Sequence, residues 1–196
     1  WIPTGIGMMK YVNPKESYKD GTVYPKVDPA IRYADILLMY AEALNELTST
    51  YQVASWDGSE TYTVSRDIAA MKAAVLPVRL RAGLPNFDEI GTGDPYQNPD
   101  ELRNAIKRER QVEFLGENQR YYDLRRWKDA PEEESQMIYG CNTTVPREYR
   151  DFFHEQVVVP SVQTSWSTKK YFWPVPYDEL KRNARLTQAP GWPSFD

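Results

Sequence analysis

The charged segment at residues 106–129 is the part of the sequence whose residue types could do chemistry. It reads IKRERQVEFLGENQRYYDLRRWKD and mixes basic and acidic side chains with apolar and aromatic ones. Glu109 and Glu113 are four residues apart, so a helix would place both carboxylates on one face. Two carboxylates on one face can serve general acid–base catalysis if their environments separate their pKa values.

A structural ion-pair network explains the same residues better. Arginines of this segment lie within reach of the two glutamates, and nearby cations hold both carboxylates ionised, which opposes an acid–base role. A planar guanidinium makes paired hydrogen bonds to a carboxylate and can fix one helix against the next. We therefore predict a structural role for the segment. The predicted network comprises Arg108, Glu109, Arg110, Glu113, Arg120, Asp123, Arg125 and Arg126.

The sequence has no other catalytic or metal-binding pattern. His154 is the single histidine and has no serine or cysteine nucleophile motif near it, which favours a packing or surface role. Cys141 is the single cysteine, so it cannot form an internal disulfide, and no Cys/His cluster has zinc-ligand spacing. No GxSxG, HExxH, P-loop or GxGxxG motif is present. We predict no catalytic residue, no metal site and no cofactor.

Charge and hydropathy exclude two further classes. The 196 residues carry a net charge of −4, and a polyanion binder needs a surplus of Lys and Arg, so nucleic acid is not expected as a partner. The longest apolar run, ADILLMYAEAL, is interrupted by Asp35 and Glu42 and is too short to span a bilayer. The chain starts at Trp1 without a signal-type segment. We expect a piece of a longer protein, with any export signal or lipid anchor upstream.

Helical scaffold is predicted over residues 28–47, 66–82 and 98–129. In the first helix Asp28 is the predicted N-cap and Pro29 the first helical residue. Its apolar residues recur at three- and four-residue steps, which is typical of a helix with one buried face. These residues are Ile31, Ala34, Leu38, Ala41 and Leu44 to Leu47.

The second and third helices carry clear start and stop signals. Pro77 is expected to kink or split the second helix, and Gly83 in RAGLP can adopt the left-handed conformation that ends it. Asn98 followed by Pro99 and Glu101 predicts the capped start of the third helix. Gly116 allows a turn within the third scaffold segment, after which a shorter helix follows.

The remaining segments are predicted to be loop-rich. Residues 1–29 read as an irregular lead-in with one strand at MMKYV, and residues 48–65 as a polar insertion between helices. The tail at 130–196 is mostly loop. Its runs EQVVVP and KKYFWPVP suggest a small hairpin, and YDELKRN suggests one or two last helical turns.

Loop aromatics are the candidates for ligand contacts. Sugars present C–H groups that stack on flat rings and hydroxyls that need fixed polar partners, so a ring beside a carboxylate or amide suits them. Trp56 with Asp57, Tyr96 and Trp166 fit that description. The alternative is that such rings pin their loops to the core.

Four segments, taken in chain order, resemble one family. They are IRYADILLMYAEALNEL, RAGLP, AIKRERQVEFLGENQRYYDLRRWK and FWPVPYDELKRNARLTQAPGW. Together they are similar to the carboxyl-terminal part of the SusD/RagB family, the surface-exposed outer-membrane lipoproteins of the Bacteroidetes. The resemblance covers nearly the whole chain. Trp127, Trp173 and Trp192 lie in these scaffold-like motifs and therefore rank lower as ligand contacts.

The resemblance implies a mostly α fold, with a tetratricopeptide-like helical scaffold, long loops and a small β-hairpin. It also implies non-enzymatic capture of a nutrient, usually a glycan and in some members a peptide, above a SusC-class TonB-dependent transporter. The family's lipid-bearing cysteine lies near the mature amino terminus, so Cys141 is not that residue. The anchor would belong to the remaining amino-terminal portion of the same protein.

The sequence departs from the family pattern in the 48–65 insertion, at Pro77 and in NARLTQAPGW, where the family favours Asn-Pro-Asn before LTQ. These departures leave the ligand open. An importer component that binds oligosaccharide or peptide and a tetratricopeptide-like interaction module that binds peptide or protein both stay possible. A hydrolase is a distant third.

Overall fold

The computed structural model describes residues 4–5, 7–27, 29–91, 93–142 and 156–194. The chain divides into two compact units. The helical unit is Asn13–Glu117, and the loop-rich unit combines Trp1–Val12 with Asn118–Asp196. The scaffold segment predicted over 98–129 therefore contributes to both units.

The described chain is mostly α-helical, as predicted, with two small antiparallel sheets. The α-helices are α1 (Tyr33–Asn45), α2 (Ile68–Arg81), α3 (Pro99–Glu113), α4 (Gln119–Trp127), α5 (Ala130–Glu133) and α6 (Tyr177–Arg182). The strands are β1 (Tyr51–Ala54), β2 (Thr61–Val64), β3 (Tyr139–Cys141) and β4 (Gln156–Val158). Short 3-10 helices cover Phe87–Glu89, Pro95–Gln97, Pro160–Val162 and Thr168–Tyr171.

The core of the helical unit lies between α1, α2 and α3. The predicted stripe of α1 faces it, because Leu38 and Ala41 are fully buried and Leu44 nearly so. The core also contains buried residues of α2 and α3 and two rings from the connection between them. Together these are Met71, Ala74, Val75, Val78, Phe87, Tyr96, Leu102, Ile106 and Phe114.

The start of α1 differs from the prediction. The helix begins at Tyr33 rather than at Pro29, and Asp28 lies outside the described residues. Arg32 has an extended backbone, and its guanidinium bonds the carboxylates of Glu113 and Glu117 at 2.6 and 2.7 Å. These ion pairs hold Arg32 outside the first turn, so tertiary contacts override the local Asp-Pro start signal.

The signals at the ends of α2 and at the start of α3 are confirmed. Gly83 has φ +75°, and the amide of Leu84 donates to the carbonyl of Arg79, which closes a Schellman-type end. The Asn98 side chain accepts from the amide of Asp100, as an N-cap does. Pro77, by contrast, does not split α2, which runs through it as one helix.

The 48–65 insertion is a β-hairpin, not the irregular loop that we predicted. β1 pairs antiparallel with β2, with Tyr51 opposite Val64 and Val53 opposite Tyr62. These four residues share one face, since cross-strand partners lie on the same side of a sheet. The Asp-Gly pair at 57–58 supplies the turn, because Gly58 takes φ +71° without a steric penalty.

The small sheet of the loop-rich unit also differs from the prediction. β4 lies in EQVVVP as expected, but its partner is β3 and not KKYFWPVP. The carbonyl of Thr4 accepts from the amide of Cys141 beside this sheet. Gly140 makes that approach possible, since a Cβ there would lie 2.6 Å from the Thr4 carbonyl oxygen. The strand predicted at MMKYV does not form, whereas the last helical turns are confirmed as α6.

Replacing Lys128 by glycine is expected to stabilise the chain. Lys128 ends α4 in the left-handed region with φ 63°, which costs a non-glycine residue roughly 1–2 kcal/mol. Part of that gain is offset by the larger backbone entropy of an unfolded glycine, so Lys128→Gly should raise the free energy of unfolding by about 0.5–1 kcal/mol. Urea denaturation measures it. Arg108→Gly, in the interior of α3, is the control and should lower the free energy of unfolding by about 1 kcal/mol. If both variants changed the free energy of unfolding in the same direction, the left-handed backbone at Lys128 would be contradicted.

Candidate functional site

Glu109 and Glu113 of the charged segment are each held by arginines from outside α3. The Glu109 carboxylate accepts from Arg79 of α2 at 2.6 Å, with both side chains almost buried. The Glu113 carboxylate accepts from Arg32 and from Arg81. Both carboxylates are thus occupied by guanidinium groups that come from outside α3. The geometry therefore gives these glutamates a positioning role.

The neighbouring Arg110 makes the second buried ion pair. Its guanidinium donates to Asp35 of α1 at 2.7 Å, and only 2% of the Arg110 side chain is exposed. The same guanidinium lies 5.0 Å from the centre of the Phe114 ring. Consecutive residues of α3 thus bind two different helices.

The other charged residues of the segment lie at the surface or in the loop-rich unit. Arg108 is exposed and bonds Gln111. Arg120 pairs with Glu133 at 2.9 Å and Arg125 with Glu134 at 2.8 Å. Asp123 accepts from Arg126 at 2.8 Å within α4. The segment is therefore two sets of ion pairs, one in each unit, rather than one continuous network.

Trp56 and Asp57 lie together at the tip of the β1–β2 hairpin. The Trp56 ring is 98% exposed. The Asp57 carboxylate accepts from the hydroxyls of Ser55 and Ser59 at 2.7 and 2.8 Å and from the Ser59 amide at 3.1 Å. These hydrogen bonds, the one from Ser55 foremost, lower the pKa of Asp57 to about 2. The tip therefore exposes the indole of Trp56 on a hydrogen-bonded turn that carries the negative charge of Asp57.

Tyr96 is not available as a ligand contact, which corrects the prediction. It is fully buried, and its ring packs against Phe87 with 6.0 Å between centroids. Its hydroxyl donates to Asn86 at 2.7 Å, and burial raises the pKa of this phenol. The ring fixes the α2–α3 connection to the core. An aromatic ring in a loop can have this role in place of ligand binding.

Trp166 is half-buried and contacts protein groups. Its ring meets Tyr171 edge-on at 4.8 Å, and the Arg125 guanidinium lies 5.4 Å from its centre. The nearby Gln163 donates to the carbonyls of Ile138 and Val159. Gln163 therefore fastens the loop, and Trp166 supports Arg125.

A pocket in the loop-rich unit was not predicted from the sequence. Its volume is about 290 Å³, and we call it the aromatic pocket. The most exposed of its rings are Trp173 and Phe172, which are 75% and 62% exposed. Its lining residues are Tyr121, Arg125, Lys170, Phe172, Trp173, Pro174 and Trp192.

Side-chain hydrogen bonds hold the walls of the aromatic pocket in place. The Trp192 indole nitrogen donates to the carbonyls of Lys169 and Phe172 at 3.1 and 3.0 Å. Gln188 accepts from the amide of Val175 at 2.8 Å and donates to its carbonyl at 3.2 Å. The segments FWPVP and LTQAPGW are thereby joined, although residues 177–185 lie between them.

The floor of the aromatic pocket is a stack of planar groups. The Arg125 guanidinium lies 3.4 Å from the centre of the Tyr121 ring, and Trp173 is tilted against the same ring at 5.9 Å. Sequence reasoning ranked Trp173 and Trp192 low because their motifs looked like scaffold. The available signal was the pair Phe172–Trp173 directly before Pro174, since a proline favours an extended backbone at the residue before it, and side chains of adjacent extended residues point to opposite sides.

Comparison with known proteins assigns the family. The family model described as the SusD family matches residues 1–192. SusD-like protein P2 of Formosa agariphila is 30% identical over 157 residues, which are 80% of this chain and 24% of that protein. SusD-like protein P38 of the same species is 31% identical over 119 residues. This chain belongs to the SusD family.

A solved structure agrees with the family assignment. The crystal structure of a SusD-like protein from Bacteroides fragilis has 33% sequence identity and a TM-score of 0.57 to this chain. The alignment covers 83% of this chain and 25% of that one. The chain thus spans about a quarter of the length of these relatives. Within the described residues, no helix is long and apolar enough to cross a membrane, and no acidic, histidine or cysteine cluster could hold a metal ion.

Removing Asp35 is expected to destabilise the chain strongly. Asp35→Ala deprives the buried Arg110 of this carboxylate, and breaking a buried pair from one side costs about 3 kcal/mol or more. Asp35→Leu combined with Arg110→Met should cost less, because no buried charge is left without its partner. Urea denaturation of both variants measures the difference. Arg182→Gln, which breaks an exposed pair with Glu179, is the control and should cost less than about 1 kcal/mol.

The pKa of Asp57 should be measurable and depend on its serines. Its folded pKa of about 2 is below the ordinary value of 3.8, so the stabilisation that the ionised carboxylate gives to the turn is fully present above about pH 4 and is lost as pH falls through 2. Ser55→Ala removes the largest stabilisation of the charged form and should raise this pKa. A carbon-13 NMR titration of the carboxyl carbon measures it. Ser161→Ala is the control and should leave the pKa of Asp57 unchanged. A pKa of Asp57 near 3.8 in the wild-type protein would show that the turn is not ordered.

Proposed function

We propose that this protein captures a glycan at the bacterial outer-membrane surface and delivers it to a SusC-class TonB-dependent transporter. The observation that carries the proposal is the SusD family match over residues 1–192. In this role the chain is not an enzyme. It binds its ligand and passes it on unchanged.

The charge pattern supports a binding role. The carboxylates of the charged segment that sit in the helical unit are bound to arginines, which leaves them poorly suited to proton transfer. The aromatic surfaces are the parts that suit a sugar: the Trp56 ring on the hairpin tip and the open aromatic pocket. The C–H face of a pyranose packs on such rings, because ring faces carry partial negative charge.

The location is part of the proposal. The relatives are about four times longer than the matched region, so we infer that an upstream portion of the same protein completes the binder and carries a lipid anchor. The protein would thus be lipid-anchored and surface-exposed at the outer membrane, where a transporter of this class is found.

A second candidate is a tetratricopeptide-like module, or a peptide-importing family member, that binds an extended peptide. The observation that favours it is a groove of about 260 Å³ between α1 and α2. Tyr33 lines this groove and is 73% exposed. A peptide ligand would depend on Tyr33, whereas a glycan bound at the aromatic pocket would not.

Co-purification from outer membranes tests the importer role. The tagged native protein is extracted in mild detergent, and its companions are identified by mass spectrometry, with an untagged strain as the control. We expect a large TonB-dependent transporter in near-stoichiometric amount. Recovery of the protein free of any transporter, in several detergents and after mild cross-linking, would overturn the importer role and favour the soluble interaction module.

A further inference from the structure

We propose that the aromatic pocket binds a negatively charged sugar residue, a uronate or a sulfated pyranose, of the captured glycan. This inference rests on the proposed function and adds the chemical class of the ligand. Three observations carry it: the exposed flat walls, the contacts that hold two of the lining groups, and two lysines that form no ion pair within the described residues.

The walls suit one sugar ring. Trp173 and Phe172 expose most of their surfaces beside the half-buried Tyr121. The Tyr121 and Trp173 rings lie 31° from parallel, so the pocket offers faces rather than a single edge. Its volume of about 290 Å³ is at the low end of the roughly 300–1,000 Å³ of ligand pockets, which fits one residue of a chain.

Two of the lining groups are held in place by protein contacts. The indole of Trp192 donates to two backbone carbonyls, and Arg125 is held by Glu134 and by the Tyr121 carbonyl at 2.9 Å. Groups held in this way lose little conformational freedom when a ligand binds.

Two lysines lie in or next to the lining of the pocket, in a chain whose net charge is −4. Lys170 lines the pocket, and its ammonium group donates to the Ser165 carbonyl. The ammonium group of Lys169 lies 4.5 Å from the centre of the Trp192 ring. Across the described residues neither lysine forms an ion pair, whereas the charge of Arg125 is balanced by Glu134.

These features together select an anionic pyranose. A neutral sugar would use the stacking faces but bring no negative charge to either ammonium group. A small inorganic anion would meet the lysines but gain nothing from walls that are almost entirely apolar. A uronate or sulfated residue satisfies both, because its ring packs on Trp173 while its carboxylate or sulfate approaches the lysines.

Calorimetric titration with size-matched neutral, uronate and sulfated oligosaccharides tests the proposal. We expect the anionic ligands to bind more tightly and to weaken with added salt. Trp173→Ala should weaken binding about tenfold, and Trp173→Phe should restore part of it. Lys169→Gln with Lys170→Gln should weaken it about fivefold and reduce the salt dependence. The control is Tyr18→Ala with Lys19→Gln, which removes an exposed tyrosine and an exposed lysine of the helical unit and should leave binding unchanged. Thermal melts confirm that every variant folds.

The outcomes separate this inference from the proposed function. Binding of neutral glycans with no effect of the lysine changes would overturn the anionic specificity and leave glycan capture intact. Loss of binding in Trp56→Ala with none in Trp173→Ala would place the subsite on the hairpin tip and overturn this assignment. If no glycan binds, both proposals fail. A uronate ligand should weaken at pH values below the pKa of its carboxyl group, while a sulfated ligand should not.

Discussion

The structure of the helical unit depends on two buried ion pairs made by consecutive residues of α3. Glu109 binds Arg79 of α2, and Arg110 binds Asp35 of α1. Each charge has left water, so each needs its partner, and the geometry that satisfies both pairs also fixes the two helices around α3. The apolar core between the helices supplies the burial energy, while the ion pairs select one arrangement.

The charged segment serves the scaffold and the candidate site at once. Up to Glu117 its residues fasten the helical unit, including Arg32 just before α1. Beyond Asn118 the same segment enters the loop-rich unit, where Tyr121 and Arg125 form the floor of the aromatic pocket. Sequence reasoning assigned the whole segment to the scaffold. The two groups differ in what they contact: Glu109 and Arg110 bind charged residues of other helices, whereas Tyr121 and Arg125 line a pocket.

Local signals predicted much of the fold, because they act through neighbouring residues. The cap at Asn98 and the glycine end at Gly83 need only adjacent backbone groups, and the stripe of α1 needs only its own period. The start of α1 and the burial of Tyr96 could not be predicted. Both depend on partners far along the chain, Glu113 and Glu117 for Arg32, and Asn86 and Phe87 for Tyr96.

The sequence by itself determined the family, the helical scaffold, the lack of catalytic motifs and the structural character of Glu109 and Arg110. It could not determine which aromatic rings face solvent, because a ring in a loop is equally suited to pinning that loop or to meeting a ligand. Tertiary structure decided this: Tyr96 is buried in the core of the helical unit, whereas Trp173 is 75% exposed, next to backbone that Gln188 and Trp192 hold by hydrogen bonds. Contacts between residues distant in sequence, and not composition, placed the candidate site.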